Sequence, residues 1–88
     1  MKLKYNFHFQ PVGTTFVGTA IGADARAFGG IIQLNEVGYD IVRRMQEEIT
    51  REQLIEAILG EYDTDAETAG RYIDDVVAYL VKEEVLIS

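Results

Sequence analysis

The chain changes periodicity once, at Leu34-Asn35, and that change constrains the fold more than any other feature of its 88 residues. Ahead of it apolar residues tend to alternate with polar ones; behind it they recur every three or four positions. In the stretch from Gly29 to Tyr39, GGIIQLNEVGY, residues Ile31, Ile32 and Leu34 have strand composition and Asn35 stands where a helix N-cap belongs. An Asn side chain accepts a hydrogen bond from a first-turn N–H, so the chain can pass from extended to helical at one residue. Such a junction sets the angle between a sheet and a helical layer. If its strand lies at a sheet edge, it also offers unpaired backbone groups to an extended peptide.

The strands come first. Tyr5, Phe7 and Phe9 alternate with Asn6, His8 and Gln10, giving one aromatic and one polar face. Pro11-Val12-Gly13 punctuates this run, Thr14 to Ile21 resumes it as a second antiparallel strand, and Gly22 to Phe28 reads as a loop. A third strand, Gly30 to Leu34, completes a small sheet that needs a helical layer on its apolar face. Three helices follow. Val37, Ile41, Val42 and Met45 face the core from a first helix expected to end near Glu48, with Asp40, Arg43, Arg44 and Glu47 on the other side. Thr50 and Gln53 form a capping-box pattern ahead of Leu54, Ile55, Ile58 and Leu59. Asp63, Thr64, Asp65 and Glu67 then place caps and acids at the start of a third helix running from about Ala66 to Glu83. Val85-Leu86-Ile87 reads as an apolar tail that packs back on the core. Runs of each class, without repeats or linkers, predict a single α+β domain over 1–88: a three-stranded antiparallel sheet followed by three helices.

At about 100° per residue, Ala69, Ile73, Val76, Val77 and Leu80 share one stripe of the third helix. Tyr72 and Tyr79 lie on its flank with Asp75 between them. Two tyrosines in that position either sit at the core boundary with their hydroxyls in water or line a groove as recognition anchors.

The chemistry of catalysis is missing. There is no cysteine, one serine at the terminus, and one histidine, His8, on the polar face of a strand. Nucleophilic catalysis of the Ser or Cys type is therefore not expected, and neither phosphate-cradling glycine motif is present. Asp63, Asp65 and Glu67 resemble the first ligands of a calcium loop, but Thr68 replaces its glycine and Asp74 its closing glutamate, so capping is the better account. We expect no enzyme activity, no metal and no cofactor. The absence of cysteine suits a reducing compartment, and with no apolar run long enough to span a membrane and no signal-peptide pattern, the expected location is the cytoplasm.

The residues Leu34-Asn35-x-x-Gly38-x-x-Ile41, followed by Thr50, Tyr62-Asp63, Asp65 and Leu86-Ile87, resemble the PqqD-like family. That family includes pyrroloquinoline quinone biosynthesis protein D and the recognition elements of ribosomally made, modified peptides. The resemblance implies a winged-helix-like, non-catalytic chaperone that binds the leader of a precursor peptide and presents it to a modifying enzyme, expected to be of the radical S-adenosylmethionine type. It also implies that the leader adds as a strand beside the third strand, Gly30, Ile31, Ile32, Gln33 and Leu34, in a groove shared with Tyr72, Asp75, Val76 and Tyr79 of the third helix. Val42 and Glu47-Glu48 depart from the family's usual aromatic and its Asp-Gly turn.

Two other readings compete. A winged-helix nucleic-acid binder is disfavoured by a formal charge of −7 and by a third helix whose basic residues are Arg71 and Lys82 among several acids. A homodimer that extends its sheet through the third strand would use the same edge as a peptide.

Overall fold

The computed structural model describes residues 1–87; Ser88, the last residue of the expected domain, lies outside them. The elements are β1 (Lys2–Leu3), β2 (Phe7–Val12), β3 (Thr15–Ala20), α1 (Asp24–Ala27), β4 (Ile31–Leu34), α2 (Glu36–Arg43), α3 (Arg51–Glu61), α4 (Ala66–Lys82) and β5 (Leu86–Ile87), with a 3-10 turn at Arg44–Gln46. The main sheet is three-stranded and antiparallel in the order β2-β3-β4, so β2 and β4 are its edges. This is the expected α+β architecture, with α2 packed on β3 and β4 and with α4 packed on α2 and α3.

Four local features differ from the sequence reading. The first helix stops at Arg43 and tightens into the 3-10 turn, short of Glu48. The expected loop holds the single turn α1, whose Asp24 accepts a hydrogen bond from Asn6 N–H at 2.9 Å. Strand β2 continues through Pro11 to Val12, and Gly13, at φ 63°, opens a two-residue hairpin between the paired residues Val12 and Thr15. The apolar tail packs back as predicted, but as a strand. Leu86 pairs with Leu3 and Ile87 with Lys2 in a second, two-stranded sheet.

That return depends on how α4 ends. Val85 N–H bonds the Leu80 carbonyl at 3.1 Å and Glu84 N–H the Val81 carbonyl at 3.0 Å, a Schellman pattern with Glu84 in the left-handed conformation at φ 60°. A non-glycine residue there costs about 1 kcal/mol, and the motif drives Val85 into the core against Leu80.

The core unites both layers: Phe7, Ala20, Ile32 and Leu34 from the sheet with Ile41, Val42, Met45, Leu54, Ile58, Ile73 and Leu80 from the helical side. Gly18 makes this packing possible. A Cβ at that position would fall 2.7 Å from the Phe9 ring and 2.9 Å from Ile32 Cγ1, so only glycine lets both side chains lie across β3.

Candidate functional site

The Asn-x-x-Gly spacing at the strand-to-helix junction has a direct geometric reading. Asn35 Oδ1 accepts the Gly38 N–H at 2.7 Å, which caps α2 at the last residue of the extended chain. Gly38 is buried, and a Cβ there would meet Asn35 Oδ1 at 3.1 Å and Leu34 side-chain atoms at 3.5 Å. The pair therefore fixes where β4 delivers the chain into α2.

Beside that junction runs a groove of about 180 Å³ between β4 and α4, walled by Gln33, Leu34, Asn35 and Gly38 on one side and Asp75, Val76 and Tyr79 on the other. The Tyr79 hydroxyl accepts the Gln33 backbone N–H at 3.0 Å. Donors and acceptors of an antiparallel strand point alternately to either side, so this bond fixes the polarity of β4. Ile31 and Gln33 turn their backbone groups outward to the free edge, while Ile32 and Leu34 turn theirs to Gly18 and Phe16 of β3.

The predicted site residues separate accordingly. Ile31 and Gln33 are exposed, Ile32 is fully buried and Leu34 nearly so, and Gly30 precedes the strand. On α4, Val76 and Tyr79 are half-buried against the core, whereas Asp75 is exposed. Tyr72 is 47% exposed and lies outside this groove, in neighbouring depressions, one shared with Thr68, Arg71 and Asp75 and one with Val37, Ile58 and Tyr62. The structure thus brings Gln33, Leu34, Asp75, Val76 and Tyr79 to one groove and sets Tyr72 one step beyond it.

A second cluster escaped the sequence reading, which placed Asp40 on the outer side of its helix. Asp40 is buried at 6% exposure and binds Arg43 Nε at 2.6 Å, while Arg44 pairs with Glu61 at the end of α3. The Asp40–Arg43 and Asp40–Arg44 spacings were visible; the arrival of Glu61 over them was not. Burial pushes the Asp40 carboxyl up, but the hydrogen bond from Arg43 and the Arg43 and Arg44 charges outweigh it and hold the group below its usual 3.8. Burial, followed by the adjacent Asp40 charge, pushes the Tyr62 hydroxyl up. These residues tie α2 to α3. Arg51 likewise ties α3 to α4 through two hydrogen bonds to Asp74, of 2.9 and 3.0 Å, lying over Gly70 where a Cβ would come within 2.7 Å. No group of three or more His, Cys, Asp or Glu among the described residues is placed to hold a metal ion, and none of their helices is long and apolar enough to cross a membrane.

A sequence profile for coenzyme PQQ synthesis protein D (PqqD) matches residues 13–86, from the β2–β3 turn to β5. The chain belongs to the PqqD family. Its fold is similar to that of TbiB1 in complex with the TbiA(beta) leader peptide, with a TM-score of 0.72, 24% identity, and coverage of 98% of this chain and 94% of that one. No curated protein matches the sequence. Within the PqqD family frame, Leu34, Asn35 and Gly38 are the residues that build the junction and one wall of the groove.

Proposed function

We propose that this PqqD-family domain is a non-catalytic carrier that binds the leader of a ribosomally made precursor peptide by strand addition to β4 and presents it to a modifying enzyme of the radical S-adenosylmethionine type. The observation that carries this reading is a terminal strand of the sheet, with outward backbone groups on Ile31 and Gln33, alongside a groove walled by α4. An added strand would gain affinity from main-chain hydrogen bonds and selectivity from the side chains that enter the groove. The leader held by TbiB1, a protein of the same fold, supports a peptide as the occupant. Asp75 is the one ionisable carboxylate on the groove wall, so a neutral or basic segment fits better than an acidic one. Docking the leader would raise the effective concentration of the attached core peptide at the enzyme.

The test is a titration of the nitrogen-15-labelled domain with leader peptides of precursors encoded beside it. Saturable shifts at Ile31, Gln33, Asp75, Val76 and Tyr79 are expected. A well-folded sample with no shifts at those residues would reject the reading. Self-pairing of two β4 edges is the competing use of the same surface, and light scattering over a dilution series separates it, because a peptide that displaces a partner copy lowers the mass.

A further inference from the structure

An unpaired strand edge invites any extended chain, including a second copy of the protein, and folded proteins blunt such edges. Strand β4 has two outward-facing residues, Ile31 and Gln33, and the Gln33 donor is already occupied by the Tyr79 hydroxyl. Tyr79 is not a loose surface group: its ring is half-buried against the core from α4, one turn after Val76 and next to the fully buried Leu80. Helix packing therefore sets the hydroxyl at the place where the carbonyl of an added strand would stand.

We propose that Tyr79 is a reversible placeholder on the β4 edge: its hydroxyl accepts the Gln33 N–H in the free domain, closes that edge to unselected strands, and yields to the backbone carbonyl of a bound peptide. This rests on the peptide-binding reading above. The exchange of one acceptor for another leaves the number of hydrogen bonds to Gln33 unchanged, so this position adds little affinity. A strand with nothing to offer the groove must spend its carbonyl displacing the hydroxyl and gains no side-chain contacts in return. Discrimination then falls to Leu34, Asp75 and Val76, which line the groove.

Tyr79→Phe removes the one oxygen and keeps the packed ring. In the free wild-type domain, the Gln33 amide is expected to exchange with solvent more slowly than the other outward amide, Ile31. In Tyr79→Phe, Gln33 exchange should accelerate about tenfold while the inward amides of Ile32 and Leu34 stay as they were. Leader affinity and self-association, measured by the titration and dilution series above, should both strengthen by about threefold to tenfold, the worth of one hydrogen bond no longer displaced. Unchanged Gln33 exchange in the variant, or faster exchange with neither affinity nor association increased, overturns the proposal. If no leader shifts either protein, the peptide reading falls by itself, and exchange with self-association still decides whether Tyr79 closes the edge.

Discussion

The two edges of the main sheet are closed in different ways. The register makes Gly18 and Phe16 of β3 face β4, so Val17 and Thr19 face Gln10 and His8 of β2, and the outward positions of β2 are Phe7, Phe9 and Pro11. Pro11 has no N–H, which removes a donor from that edge permanently. On β4 the corresponding donor, at Gln33, is present but covered by a tyrosine hydroxyl. Beyond β4 stands α4 with Asp75, Val76 and Tyr79. A strand edge becomes a candidate binding edge when its donors survive and a neighbouring element supplies side-chain contacts to whatever pairs there.

Proline scanning along β4 breaks this comparison most sharply. Ile32→Pro removes an inward ladder donor from a fully buried residue, so a loss of about 3 kcal/mol or more is expected, read as a melt that fails to show a native baseline. Gln33→Pro, one residue on, removes an outward donor, as Pro11 already does on β2. Its fold should survive with a loss of about 1 kcal/mol, while peptide binding falls at least tenfold by calorimetry, because the proline ring would stand where the added strand's carbonyl must approach and would leave that carbonyl unpaired. A Gln33→Pro protein that binds as well as wild type would show that β4 is not the paired edge.

The Asp40 cluster provides the next contrast, because its charged groups pair with one another, whereas the Ile31 and Gln33 backbone groups beside the groove face outward. Asp40→Ala leaves Arg43 and Arg44 without their shared partner. Arg43 remains 41% exposed, so water recovers part of the loss and denaturant titration should show about 1–3 kcal/mol with leader binding intact in the folded fraction. The same group sets an acid limit. Its folded pKa lies below the usual 3.8, so its contribution is present above that pH and disappears as pH falls through the lower folded value. Asp65, held low by the Thr68 backbone, and Asp74, held low by Arg51, act in the same direction. Melting temperature should therefore fall below about pH 4, and less steeply in Asp40→Ala.

Smaller effects sharpen the boundary of the groove. Tyr72 is exposed and absent from the core, so Tyr72→Ala should change stability by less than about 1 kcal/mol; weaker leader binding would extend the peptide's path past Asp75, and unchanged binding would end it there. Smallest is Pro11→Thr, which returns a donor to β2. Stability should move within about 0.5 kcal/mol with leader affinity unchanged, and any new self-association would come from the β2 edge.

Much of the architecture was legible because it is written in local periods. Alternation in Tyr5–Gln10, the helical spacing after Asn35, the Thr50–Gln53 box and the Asp65 cap each concern residues a few positions apart, and the structure contains them, the strand starting at Phe7 rather than Tyr5. Even the groove wall was partly legible, since Tyr79, Val76 and Asp75 follow from one turn of α4. The rest depended on pairs distant in the chain. Leu3 meets Leu86 across a second sheet whose strands are too short to announce themselves, and Glu61 turns the polar side of α2 into an ion cluster around the buried Asp40. Gln33 and Tyr79 are 46 positions apart, and no local pattern says that a hydroxyl on one will meet an amide on the other. Local pattern was enough for the three strands of the main sheet, the three long helices and the junction at Asn35, because those obey short-range hydrogen bonding and side-chain periodicity. Which backbone groups of β4 face outward, and what stands in front of them, emerges only once the chain is folded, because strand register and helix packing are settled by the whole core at once.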